Sequence, residues 1–110
     1  MTNRERGTTV NGGQFPSHII EKVWEKAHIV DEYDPDYVRV DRSGRYIEYD
    51  HYGNTGSQYG WEIDHITPVN LNGSDHINNL QPLQWFVNRH NGKRTRYNYN
   101  STDKTRGHFY

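Results

Sequence analysis

The residues with the most chemistry to offer lie between Trp61 and Lys93, in the run WEIDHITPVNLNGSDHINNLQPLQWFVNRHNGK. Asp64 and His65 come first. A carboxylate is a hard oxygen ligand for a cation, and an imidazole with an ordinary pKa of about 6.5 can take a proton from water at neutral pH. A cation facing a phosphate, with a general base beside it, is the minimum equipment for hydrolysing a phosphodiester. The dipeptide alone is weak evidence, because a surface His beside a surface Asp is commonplace. Adjacent residues on a strand point to opposite faces. Both can serve one site only if the strand ends or turns there, and Pro68 supplies a stop three residues later.

Several elements must hold that segment in place. Residues 1–16 are rich in Gly, Thr and Asn and read as a flexible lead-in. Ser17 is a candidate N-cap, and Ile20, Val23, Trp24 and Ala27 recur at helical spacing, which predicts a helix from about His18 to His28. Asp34-Pro35 breaks it. Two short alternating runs, Tyr37–Val40 and Tyr46–Tyr49, flank Arg42-Ser43-Gly44-Arg45 and predict a hairpin with Gly44 in the turn. The Gly-rich stretch His51–Gly60 predicts a loop, Trp61–Ile66 a third strand, and residues 70–76 another loop. The four-residue spacing of Leu83 to Val87 and of Trp85 to Arg89 predicts a helix from about Leu83 to Asn91. Residues 94–110 form a basic, Tyr-rich tail without a period, in which Tyr97, Tyr99, Phe109 and Tyr110 either stack on bases or pack over the core. Trp24, Trp61 and Trp85 are expected in the core.

Composition limits what this framework can be. The chain has 110 residues, 31% hydrophobic, with nine Tyr, three Trp and three Phe, so aromatic mass must build much of a small core. There is no Cys, which removes disulfides, Cys-ligated structural zinc and thiol nucleophiles. No apolar run approaches the roughly 20 residues of a membrane span, and Met1–Gly13 lacks a signal-peptide core; a cytoplasmic protein without membrane contact is expected. The formal net charge of -1 excludes a uniformly basic coat. The distribution is uneven, with nine acidic against three basic residues over 31–64, and six basic against one acidic over 88–106. The basic end can contact phosphates or simply aid solubility.

The order Asp64-His65-Ile66-x-Pro68, then Gly73-Ser74-Asp75, then Asn78-Asn79-Leu80-Gln81-Pro82-Leu83, then Asn88-Arg89 before a basic run resembles the HNH endonuclease family. The resemblance is close over 61–93 and extends loosely to 59. It implies an α+β fold with a ββα-metal (His-Me finger) core, a hairpin and helix pinching one divalent cation, to which this chain adds an N-terminal helix and a short extra β-hairpin. The nuclease domain would span 17–93, with its core motif at 59–93. By the same resemblance His65 is the general base, Asp64 and Asn88 are metal ligands, and Asn79 holds the loop that carries His65. Arg89 is the first candidate to hold the departing strand, and Arg89, Lys93, Arg94 and Arg96 are candidate phosphate contacts. Asn and Asp oxygens suit Mg²⁺ or Mn²⁺ better than Zn²⁺ or Ni²⁺. His90 competes with Asn88 as ligand, but two residues are about 200° apart on a helix, so one ion takes one of them; Asn91 is a weaker alternative. His76 lies in the loop, either near the ion or in solvent. Where members often carry Lys, this chain has Asn91, and the CxxC pairs that bind structural zinc in many members are absent.

The implied reaction is metal-dependent hydrolysis of DNA, with RNA and branched DNA as further candidates, giving 5′-phosphate and 3′-hydroxyl ends. So small a chain has little room for a base-reading element, which leaves nonspecific cutting, structure-directed cutting, a homodimer or a targeting partner protein, in a phage, host-defence or mobile-element setting. The alternative is a non-catalytic nucleic-acid or protein-interaction module that keeps the fold.

Overall fold

The computed structural model describes residues 4–90. They form an α+β structure with two short antiparallel sheets and two α-helices. Helix α1 spans Ser17–Trp24 and buries Val23 and Trp24. Its N-cap is Pro16, not Ser17, and no side chain caps it; the Pro16 carbonyl accepts from the Ile19 and Ile20 N–H groups instead. The helix also stops short of His28. The Lys26 and Ala27 N–H groups reach back only three residues, to Val23 and Trp24, which tightens the last turn. His28–Ile29 then forms an unexpected strand, β1.

The expected hairpin is present as β2 (Val38–Val40) and β3 (Tyr46–Glu48), with β1 on the far side of β2. Gly44 has φ 92°, a left-handed turn position. The turn is built around Asp41, which is fully buried. Its Oδ1 accepts from the Ser43 N–H, the Ser43 hydroxyl and the Arg45 N–H, and its Oδ2 accepts from the Gln84 N–H at 2.7 Å. Burial pushes this carboxyl up, while the four donors pull it down. One side chain thus closes the turn and ties the first sheet to the second.

The second sheet pairs β4 (Trp61–His65) with β5 (Leu80–Gln84), in a register running from Trp61↔Gln84 to His65↔Leu80. Reading the residues one by one shows no strand at β5, because Pro82 lies inside it. A two-stranded sheet leaves alternate N–H groups outside the ladder, so proline is tolerated there. Helix α2 follows at once and spans Trp85–His90, two residues later than its expected start. The Gln84 side chain caps it, with Oε1 accepting from the Phe86 and Val87 N–H groups.

Every β4 residue but Asp64 is buried, so the hairpin is covered on both faces. Trp61, Ile63 and Leu80 join Phe15, Val23, Trp24, Ala27 and Ile47 in the core. Trp61 is fully buried and stands 5.3 Å from Trp24 and 4.8 Å from Tyr52, ring to ring. The indole N–H groups of Trp24 and Trp61 donate to the Pro35 and Tyr49 carbonyls, so these large side chains are buried without orphaned donors. Trp85 departs from expectation. It is only half-buried, and its indole N–H donates to the Ser57 carbonyl. Glu62 and Asp64 alternate with the core residues and point to the opposite face, toward α2.

Asp41→Ala leaves three backbone donors without acceptors, the Gln84 N–H among them buried. An unfolding free energy about 3 kcal/mol lower is expected in urea titrations.

Candidate active site

The loop joining β4 to β5 (residues 66–79) folds back on itself through one side chain. Asn79 Oδ1 accepts from the Thr67 N–H at 2.7 Å, and its Nδ2 donates to the Thr67 and Ser74 carbonyls at 3.1 and 2.8 Å. The Ile66 N–H closes the loop base on the Asn79 carbonyl. A carboxamide both donates and accepts, so no other side chain of this size satisfies all three groups. Gly73 is needed for the same fold-back. A Cβ built there would lie 1.6 Å from the Thr67 carbonyl oxygen. Neighbouring Asn78 has no such part. Its N–H bonds His76 Nδ1, which caps the short 3₁₀ turn Ile77–Asn79.

This loop delivers Asp75 to His65. The His65 side chain is 4% exposed, and its Nε2 lies 2.8 Å from Asp75 Oδ1. An ionised carboxylate only accepts, so Nε2 carries a hydrogen, and in the neutral ring Nδ1 is then the nitrogen with the lone pair. The Phe15 ring lies 6.0 Å from the imidazole. Asp75 was visible in sequence only as part of the Gly-Ser-Asp triplet; its role depends on a contact across ten positions of chain.

On the other face stands Glu62, 4% exposed. Its Oε1 accepts from Asn88 Nδ2 at 2.9 Å, and Arg89 grips both carboxylate oxygens, with Nη2 at 2.6 Å from Oε2. These hydrogen bonds raise the proton affinity of the Arg89 guanidinium further. The dryness of the region shows at Tyr52, whose phenol is pushed up to about 12 by burial first and then by the charge of Glu62. Asn88 is 2% exposed. Since a carboxylate cannot donate, the atom facing Glu62 must be the amide nitrogen, and the Asn88 carbonyl oxygen is turned away from Glu62. Asp64, on the same face as Glu62, accepts from Gln81 Nε2 at 2.8 Å. Sequence reasoning missed Glu62 entirely; its one signal was a carboxylate two residues before Asp64 on a strand.

The structure separates the other candidates. His90 is exposed, stacks on Phe86 at 3.9 Å and bonds the Phe86 carbonyl, so it stands apart from the buried Asn88. His76 is exposed and occupied in its cap. Asn91, Lys93, Arg94 and Arg96, like the tail over 94–110, lie outside the described residues. Among the described residues no group of three or more His, Asp and Glu side chains is gathered as a metal cage, and no helix is long and apolar enough to cross a membrane.

Residues 4–16, expected to be a flexible lead-in, lie against this site. Thr8 and Phe15 are buried. The Val10 N–H bonds both Asp75 oxygens at 3.1 and 3.2 Å. Arg6 Nη1 reaches the Asn88 carbonyl at 3.5 Å. Gly7, with φ 80°, passes so close to Glu62 that a Cβ would meet Glu62 Cβ at 3.3 Å. The segment therefore runs from the Glu62 face of the hairpin to the His65 face.

Residues 47–94 match the family model described as HNH endonuclease. No curated protein and no solved structure matches the chain.

Asn79→Asp keeps the acceptor for Thr67 and loses both donations. A stability loss of about 1–2 kcal/mol is expected, with faster amide exchange at Ile66 and Thr67 than at Ile63.

Proposed function

We propose that this chain, which carries an HNH endonuclease domain over residues 47–94, hydrolyses DNA phosphodiester bonds with one divalent cation and His65 as general base. The observation that carries the reading is the His65–Asp75 pair at 2.8 Å, since it fixes which nitrogen of a buried imidazole is basic. Strand β4, the loop stapled by Asn79, strand β5 and α2 would form the ββα-metal core, with Asp64 and Asn88 as the ligands. The domain would run over 17–93, though the contacts of residues 4–16 support counting that segment with it.

The donor chemistry fits a hard cation. Asp64 offers carboxylate oxygen and Asn88 a carbonyl oxygen, which Glu62 orients by holding the amide nitrogen. Two protein oxygens, with water completing the shell, suit Mg²⁺ or Mn²⁺ over Zn²⁺ or Ni²⁺. Such a cation supplies positive charge against the phosphate oxygens and the departing 3′ oxygen.

The chain's own residues do the rest. His65 Nδ1 takes a proton from the attacking water, and Asp75 stabilises the imidazolium that results and holds the ring in the required tautomer. Asn79 keeps the loop, and so Asp75, at that distance. Glu62 positions Asn88 and, through two nitrogens, Arg89. Arg89 is thereby held rigid beside the site instead of ranging freely toward a departing strand. Attack by water in line with the 3′ oxygen leaves 5′-phosphate and 3′-hydroxyl ends. DNA is the proposed substrate; a homodimer or a targeting protein would supply double-strand cutting or sequence choice, which these elements do not.

Supercoiled plasmid with Mg²⁺ or Mn²⁺, against an EDTA control, tests the reading. Nicking by the wild-type protein is expected, reduced about 10³-fold in His65→Ala with metal affinity retained. Asp64→Ala is expected to weaken both metal binding and cleavage. Asp75→Asn presents an amide donor to Nε2 and forces the wrong tautomer, for an expected loss of roughly 10–100-fold. Cleavage by His65→Ala at the wild-type rate would make His65 a structural core histidine and end the proposal. So would a folded wild-type protein that leaves DNA intact with every cation.

A further inference from the structure

The basic residues expected to meet phosphate lie at the C-terminal end of the domain, yet Arg89 is already paired with Glu62. The structure brings two other guanidinium groups to the site from the opposite end of the chain. Arg4 and Arg6 stand on the segment that lies against Glu62, Asn88 and Asp75. We propose that Arg4 and Arg6 form a phosphate-binding clamp for the nucleic-acid backbone beside the His65–Asp75 pair; this rests on the nuclease reading.

Four observations support the clamp. First, both residues are partly buried on the same short segment, and the charge of Arg6 is felt at Arg4. Burial and this repulsion both lower the proton affinity of Arg4, with Asp75 a smaller opposing influence. Second, among the described residues neither has a carboxylate within ion-pair distance, whereas Arg89 does. Two like charges on one short, partly dried segment, with no carboxylate in ion-pair contact among the described residues, leave an unfavourable interaction that a phosphate would relieve.

Third, the arginines are held in place, but through only a few of their donors. Among the described residues Arg4 uses Nη1 alone, on the Glu5 and Thr8 carbonyls and the Thr8 hydroxyl, the shortest contact being 2.8 Å. Among the described residues Arg6 uses Nη1 alone, on the Asn88 carbonyl at 3.5 Å. Each guanidinium has five N–H donors in a planar fork that matches two phosphate oxygens. Fourth, the segment is anchored directly after the pair. The Thr8 hydroxyl donates to the Glu5 carbonyl, Gly12 and Gly13 close a turn on Thr9, and the Val10 N–H is fixed on Asp75. The clamp is therefore set by the same carboxylate that orients His65.

The contacts are to backbone phosphate and carry no base information. Their signature is salt dependence. Each phosphate contact contributes about 0.9 to the slope of log affinity against log salt on duplex DNA.

Binding of a fluorescent DNA duplex, measured by anisotropy in EDTA over a range of salt, reads this directly and without cleavage. The Arg4→Gln/Arg6→Gln protein is expected to bind about tenfold more weakly at ~0.1 M salt, with its slope lower by about two. Arg4→Lys/Arg6→Lys keeps the charges and should keep most of the slope, which a merely structural role for the guanidinium groups would not predict. If the Gln double variant melts early, Arg6→Gln alone carries the test, because among the described residues its side chain makes only the long Asn88 contact; a slope lower by about one is expected. A slope unchanged in the folded Gln variants overturns the clamp, as does a wild-type protein that does not bind DNA. The nuclease reading is judged apart from this, by His65→Ala on plasmid.

Discussion

Glu62 is a carboxylate placed where a carboxylate cannot stand alone. It projects from a strand covered on both faces, and its side chain is buried. An ion stripped of water must be paired and hydrogen-bonded or it destabilises the fold by several kcal/mol. That requirement draws in Asn88 and Arg89 from α2, and Gly7 passes so close that a Cβ there would crowd the Glu62 side chain. The helix is therefore fixed against β4 by charge and hydrogen bonds.

The second carboxylate with structural reach is Asp75. It receives His65 from the hairpin and Val10 from the N-terminal segment. Together Glu62 and Asp75 stitch the segment over 4–16 to opposite faces of one hairpin. The loop bearing Asp75 is in turn held by Asn79, and the far end of the hairpin is held by Asp41 through Gln84. The core is thin and aromatic, centred on Trp24, Trp61 and Tyr52. Polar side chains bonded to backbone do much of the positioning that a zinc staple or a larger apolar core would do elsewhere. Such bonds are directional, and each unsatisfied buried group is costly, so they specify geometry where a few apolar contacts would leave it loose.

The arrangement also accounts for the uneven charge. Asp41, Glu62, Asp64 and Asp75 lie within or beside the acidic stretch, and each has a structural partner or a proposed ligand role. The near-neutral total therefore conceals arginines with different duties: Arg89 answers Glu62, while Arg4 and Arg6 stand without a carboxylate partner among the described residues.

Much was legible in the chain alone. The alternation of Tyr46, Ile47 and Glu48 around a Gly turn predicted the hairpin, and the resemblance over 61–93 pointed to the family whose model matches 47–94. These are local patterns, and period and turn chemistry are written in neighbouring residues. Strand β5 was not legible from its residues, because Pro82 argues against a strand unless the sheet is known to end there. Nor were Glu62, Asp75 and the N-terminal segment, which looks like a polar lead-in by composition. Their roles are contacts between residues far apart in sequence, such as Arg6 with Asn88 and Val10 with Asp75. Sequence determined which groups were available and where the chain would turn. Tertiary structure alone decided which buried charges would meet, because that depends on the closing of the hairpin and on the need of each desolvated carboxylate for donors.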